Sequence, residues 1–230
     1  MPDPSPPPLV RVIAATKDYP LGHRTVQALR GVTVEIAGGA FVVMQGPSGS
    51  GKTTLLNLIG CIDHPTTGSV MVAGEDVGTL ADASLSRFRA RKLGFVFQNF
   101  NLIPVLTAAE NIEYPLRLNG VSVTEARARA LEMLDSLGLG AEAHQRPAEL
   151  SGGQCQRVAV GRALVTHPAL VIADEPTANL DSTTGAKIIE LMREMRDRLG
   201  TTFVISTHDP QVAALAERRL LMRDGLLTDT

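Results

Sequence analysis

The sequence predicts an α/β fold: a mostly parallel core sheet, an antiparallel β lobe at the N-terminus and a helical lobe at about residues 99–165. Two observations carry this. Apolar runs of strand length, rich in Val, Ile and Phe, recur between stretches of helical period, the pattern of parallel strands covered by helices on both faces. One such run, Phe41 to Gln45, passes through a glycine-rich loop into the apolar stretch Thr53 to Ile59, which reads as the first turns of a helix.

The elements follow in order. Residues 1–8, Met1-Pro2-Asp3-Pro4-Ser5-Pro6-Pro7-Pro8, read as a disordered tail ahead of one domain at 9–230. Val10 to Ala15 and Val32 to Ile36 carry the apolar and β-branched residues of two strands, with the polar stretch from Tyr19 to Gly31 as their connection. Leu93 to Phe97, Ala169 to Asp174 and Thr202 to Ser206 are further strands. Ser122 and Glu125 have the spacing of a capping box, and Ala126, Ala130, Met133, Leu134 and Leu137 continue one helical stripe that stops at Gly138. A second helix runs from about Ser182 to Leu199, with Ile188, Met192, Met195 and Leu199 on one face and Gly200 as its end.

Composition bounds the function. With 230 residues, 44% hydrophobic and 20% charged, the chain can bury a substantial core. Its 22 basic and 24 acidic residues leave no excess of positive charge, so nucleic acid is not an expected partner. No apolar run approaches the roughly 18 residues of a spanning helix, and the N-terminus has neither a basic start nor an apolar signal core. The chain is therefore expected neither to be secreted nor to cross a membrane itself. Cys61 and Cys155 lack metal-ligand spacing and fit reduced thiols.

Gly46-Pro47-Ser48-Gly49-Ser50-Gly51-Lys52-Thr53 fills every fixed position of the phosphate-binding loop G-x-x-x-x-G-K-[ST] and predicts nucleoside triphosphate binding. Glycines let successive backbone N–H groups turn inward around the phosphates, and the N-terminus of the helix that follows, through Thr54, adds its partial positive charge. Lys52 supplies a full charge for the β- and γ-phosphates, and the Thr53 hydroxyl is a ligand for Mg²⁺. A second element is the apolar run Leu170 to Ala173 ending in Asp174-Glu175. An acid at the carboxyl end of a neighbouring strand faces the same crevice as a phosphate loop, so Asp174 can hold Mg²⁺ and Glu175 can act as base for an attacking water.

Leu150-Ser151-Gly152-Gly153-Gln154, running into Cys155-Gln156-Arg157, is a third element, an anion nest at a helix start. Together with the first two it resembles the signature of ATP-binding cassette (ABC) ATPases. The resemblance covers nearly the whole chain and implies ATP and Mg²⁺ as ligands and a phosphate-loop ATPase fold. It also implies a nucleotide-dependent head-to-tail homodimer, in which Ser151, Gly152 and Gly153 of one subunit close over the γ-phosphate bound by the other. Gln98 resembles the Q-loop glutamine that reaches Mg²⁺ and the attacking water, His208 the switch histidine on the γ-phosphate, and Asn179-Leu180-Asp181 the D-loop. Tyr19 lies where related ATPases stack an aromatic on adenine.

Phe88, Phe95, Phe97 and Phe100 crowd together, and Leu102, Ile103, Val105 and Leu106 continue an apolar loop that needs a partner. In the ABC family this segment receives a coupling helix from a transmembrane permease subunit. Phe95 to Leu102, Leu170 to Asp181 and Ser206 to Pro210 resemble the subfamily of the lipoprotein-releasing, macrolide-export and cell-division ATPases (LolD, MacB and FtsE), with Cys155 and Ala178 as departures from its usual Gln and Gly. The resemblance implies an ATPase on the cytoplasmic face of the inner membrane that drives export, lipoprotein release or mechanical work. A cytosolic ABC ATPase of the iron-sulfur assembly type shares every catalytic motif and is the alternative.

Overall fold

The computed structural model describes residues 7–22 and 24–229, so most of the expected N-terminal tail lies outside the described residues. The chain divides into two compact units, one made of residues up to Ser86 and from Thr202 onward, the other of Arg87–Thr201. In chain order the elements are β1 (Val10–Leu21), β2 (Arg24–Ile36), β3 (Phe41–Gln45), α1 (Lys52–Ile59), β4 (Thr67–Val72), β5 (Glu75–Asp76) and α2 (Asp82–Lys92). There follow β6 (Leu93–Phe97), α3 (Ala108–Leu118), α4 (Val123–Ser136), α5 (Gly152–Leu164), β7 (Leu170–Asp174) and α6 (Ser182–Leu199). The chain ends with β8 (Thr202–Thr207), α7 (Pro210–Ala214), β9 (Arg218–Arg223) and β10 (Leu226–Asp229).

In the first unit, β1 pairs antiparallel with both β2 and β4. The stretch from Tyr19 onward is strand rather than the connection expected from its polarity: Tyr19 faces Val26, and Leu21 faces Arg24. Polar side chains conceal these residues because this end of the hairpin is largely solvent-exposed, and the register shifts at Ala14 and Lys17 break the alternation a strand would show. β3 is the buried centre of the parallel strands. It pairs parallel with β8 on one edge, Phe41 against Phe203, and with β9 on the other, Val42 against Arg218. Phe41 and Phe203 also meet ring to ring, with centroids 5.8 Å apart. A continuous apolar sequence is what a strand buried on both faces requires.

In the second unit, β6 and β7 pair parallel, Leu93 with Leu170 through Phe97 with Asp174. Around them stand α3, α4, α5 and α6. Ser122 caps α4 through the Glu125 amide, and α6 runs from its Asp181 cap to Gly200 in the left-handed region at φ 67°. α3 was not apparent in the sequence, although Thr107-Ala108-Ala109-Glu110 forms a complete capping box at its start; Pro115 within it argues against a helix. α2 has no readable stripe because Leu85 is its one buried residue. No helix among the described residues is long and apolar enough to cross a membrane.

Candidate active site

The phosphate loop leaves the carboxyl end of β3 and enters α1 at Gly51, whose φ of 104° only glycine adopts readily. A Cβ on Gly51 would lie 2.7 Å from the Ala28 carbonyl oxygen, and one on Gly46 would lie 2.2 Å from that of Met222. The loop is braced from behind: the Gly225 amide donates to the Ser50 carbonyl at 3.0 Å, and the Arg30 amide donates to the Gly225 carbonyl at 2.9 Å. The buried Lys52 ammonium donates to the carbonyls of Gly46 (2.7 Å) and Pro47 (3.1 Å), so the cation lies inside the curl of the loop. Ser50 is also buried, with its Oγ unpartnered. No side chain caps α1. A positively charged helix start, an unmatched hydroxyl and a cation held on the loop's own carbonyls form a cradle that fits a polyphosphate.

Within the same unit, Gln45 of β3 stands opposite Thr207 of β8, so the phosphate loop and His208 leave the same end of adjacent parallel strands. His208 is exposed there. The turn after it is fixed by the Asp209 amide donating to Thr207 Oγ1 (3.0 Å), with Asp209 itself capping α7 through the Gln211 amide (2.8 Å).

The second unit repeats this arrangement. Phe97 pairs with Asp174, so Gln98 and Glu175 leave the carboxyl ends of neighbouring parallel strands. Asn179 joins the segments after them: its Nδ2 donates to the Gln98 carbonyl (3.1 Å) and to Asn99 Oδ1 (2.8 Å), and Gln98 Nε2 donates to Asn179 Oδ1 at 3.4 Å. The resemblance named Asn179 without revealing this latch, because residues eighty apart in sequence are matched only by strand pairing. Asp181 accepts from the Thr184 amide at 3.0 Å as the cap of α6, and its hydrogen bonds with Thr184 hold its carboxyl below the usual carboxylate range.

At the start of α5, Ser151 Oγ accepts from the Gln154 amide (3.3 Å) while Gln154 Oε1 accepts from the Ser151 amide (2.8 Å), a complete capping box. Gln154 Nε2 donates onward to Glu142 (3.1 Å), and Arg157 donates to the Leu137 carbonyl (3.3 Å). A Cβ on Gly153 would lie 2.8 Å from Thr184 Cγ2, so a larger residue there would force Thr184 to shift. Ser151 and Gly152 are exposed. Burial pushes the Cys155 thiol up, keeping it protonated.

Tyr19 is half-buried. Its hydroxyl donates to Asp63 Oδ2 (2.8 Å), and the Lys17 ammonium sits 5.0 Å from its ring centroid while donating to Asp63 Oδ1 at 2.5 Å. Burial alone pushes the Asp63 carboxyl up, but hydrogen bonds from Lys17, Tyr19 and the His64 amide outweigh it and hold the group below the usual carboxylate range. The apolar loop after Gln98 is held by two polar residues. The buried Asn111 accepts from the Ile103 amide (2.8 Å) and donates to the carbonyls of Ile103, Leu106 and Thr107, while Arg162 donates to those of Phe100 (2.8 Å) and Asn101 (2.5 Å). Burial lowers the Arg162 pKa. A cleft of about 330 Å³ lies alongside, lined by Arg89, Phe95, Phe97, Ile103, Tyr114 and Arg162 among others. Phe100 belongs less to this surface than to the signature: its ring is 3.7 Å from where a Gly152 Cβ would stand, whereas Val105 is 73% exposed.

The family model described as ABC transporter matches residues 29–178. This chain belongs to the ABC transporter ATP-binding family. It is similar to the lipoprotein-releasing system ATP-binding protein LolD of Alcanivorax borkumensis, 46% identical over 96% of each chain. It is similar also to the macrolide export ATP-binding/permease protein MacB of Syntrophobacter fumaroxidans, 44% identical over 95% of this chain but spanning only 31% of that longer protein. Among solved structures, the cassette MJ0796 in its dimeric, post-hydrolysis state with ADP and Pi superposes with a TM-score of 0.88 at 45% identity, over 96% of this chain and 97% of that one. These relatives are transporter components, which supports the transport reading over the iron-sulfur one. The chain is an ATPase of the phosphate-loop ABC type, with ATP as substrate and Mg²⁺ as its ion. Among the described residues no cluster of three or more His, Cys, Asp or Glu forms a metal cage.

Proposed function

We propose that the chain powers a transmembrane permease from the cytoplasmic face of the inner membrane, as a nucleotide-dependent head-to-tail homodimer that converts ATP binding and hydrolysis into export, lipoprotein release or mechanical work. The observation that carries the reading is the open start of α1, with Lys52 turned onto its own loop and Ser50 Oγ unmatched. The loop amides from Gly46 to Thr54 and Lys52 bind the phosphates, and Tyr19 stacks on adenine with the ring edge pinned by Asp63. Thr53, Gln98 and Asp174 would hold Mg²⁺, which when bound neutralises charge on the phosphate oxygens. Glu175 takes the proton of the attacking water, contributing roughly 10² to 10⁴-fold. His208 holds the γ-phosphate, and Ser151, Gly152, Gly153 and Asp181 act across the dimer. The permease docks at the cleft beside the post-Gln98 loop, where Val105 and Tyr114 are exposed.

Mixing Lys52→Ala and Ser151→Arg subunits tests the composite sites. Each variant alone is inactive, while the mixed dimer holds one intact site, with the loop of one chain and the signature of the other. Partial return of ATPase activity is expected; mixtures that exchange subunits and stay inactive overturn the composite site. Membrane recruitment is tested separately by fractionating cells that contain Val105→Asp beside the native permease. Loss of membrane association with unchanged melting and ATP binding is expected, and full retention moves the docking surface elsewhere.

A further inference from the structure

We propose that Gln156 is a positioning residue for hydrolysis: its buried amide ties the signature helix α5 to the backbone turn that presents Glu175. The inference rests on the reading of Glu175 as the base. Gln156 is fully buried on α5, and its Nε2 donates to the Pro176 carbonyl at 2.6 Å. Pro176 directly follows Glu175, whose φ of 48° lies in the left-handed region that a residue with a side chain seldom adopts. Proline disfavours the right-handed helical region for the residue before it and has no amide proton of its own. The Pro176 carbonyl is thus a handle by which this turn can be held, and the Ala178 amide, donating to the Glu175 carbonyl at 3.2 Å, closes the turn from the other side.

The amide can be oriented only one way. A carbonyl oxygen accepts and never donates, so Nε2 must face Pro176, and Oε1 is then buried with no hydrogen-bond partner. A group with one arm satisfied and the other desolvated is a poor stabiliser, and a methionine fills much the same volume without that cost. What the amide supplies and methionine cannot is a fixed distance between α5 and the Pro176 carbonyl. The neighbouring packing makes this link stiff: Gly153 leaves no room for a Cβ beside Thr184, and a Cβ on Gly185 would stand 3.3 Å from that of Thr177. The start of α5 and the segment from Glu175 to Gly185 are in this way one mechanical piece. A helix whose exposed end is offered to the partner's nucleotide carries on its buried face the grip on its own chain's base. A shift of α5 when the dimer closes therefore reaches the Glu175 turn through this hydrogen bond together with the packing beside it.

The test uses Gln156→Met, with Glu175→Gln measured beside it. Gln156→Met should keep its melting temperature, its ATP affinity and its ATP-dependent dimer, while single-turnover hydrolysis falls about ten- to a hundredfold, as expected when a reacting group is held off its best position. Gln156→Glu supplies a second reading that does not need the methionine variant to fold. Only the protonated carboxyl can donate to Pro176, so hydrolysis by Gln156→Glu should fall with rising pH along a titration absent from the wild type. Wild-type hydrolysis by Gln156→Met, or a wild-type pH profile for Gln156→Glu, overturns the proposal. So does a joint fall of ATP affinity, dimer and melting temperature, which marks the amide as general packing. If instead Glu175→Gln hydrolyses ATP normally, the base assignment fails, and the proposal with it.

Discussion

Two helix starts in this chain carry the same sequence promise and keep it differently. α1 begins after Gly51 with no side-chain cap, and α5 begins after Ser151 with a closed capping box. Both are glycine-rich, and both read as anion nests. At α1 Ser50 Oγ is buried without a partner, and the Lys52 ammonium is folded onto loop carbonyls. At α5 the Ser151 hydroxyl accepts from the Gln154 amide at 3.3 Å, and the Gln154 side chain accepts from the Ser151 amide at 2.8 Å. One end is incomplete alone and should bind in the monomer. The other has its Gln154 amide already closed by its own cap, so a ligand for that amide must compete with the capping box.

The largest expected effect contrasts the glycines. Gly51→Ala meets a left-handed φ and a backbone oxygen at 2.7 Å, so it should cost about 3 kcal/mol and abolish ATP binding. Gly152→Ala meets nothing closer than 3.4 Å and should leave stability within about 0.5 kcal/mol. Urea denaturation and nucleotide titration of both variants decide this, and equal losses would erase the contrast. Ser50→Ala sharpens it. Removing a buried, unpartnered hydroxyl should leave the nucleotide-free protein as stable as before, or more so, while ATP affinity falls roughly tenfold. If stability drops without nucleotide, Ser50 is structural and the cradle is less open than described. The smallest effect belongs to Gln154→Ala, which opens the box at α5. It should lose about 1 kcal/mol of stability yet keep the ATP affinity of the monomer, as the proposed role of that helix across the dimer requires. A weakened monomer affinity would mean that α5 already contributes in the single chain.

Much of the molecule was legible because its signals are local. β3, β6, β7 and β8 are apolar runs, α4 and α6 have stripes with caps, and the phosphate loop needs its residues in unbroken order. The hairpin of β9 and β10 was readable in principle from Asp224-Gly225, both at positive φ, but Arg218, Arg219 and Arg223 mask its strands. By itself the sequence determined the nucleotide-binding chemistry and the family, because charge, glycine and hydroxyl at fixed spacing are what phosphate binding demands. Only the tertiary structure decided which partners those residues have at home. It assigned Asn179 to Gln98 and Asn99, Asp63 to Tyr19, Arg162 to the carbonyls of Phe100 and Asn101, and Gln156 to Pro176. Each of these is a hydrogen bond between residues far enough apart in the chain that no local pattern encodes it. Strand register and helix packing bring the pairs within 3 Å or so of each other, and those are properties of the folded chain as a whole.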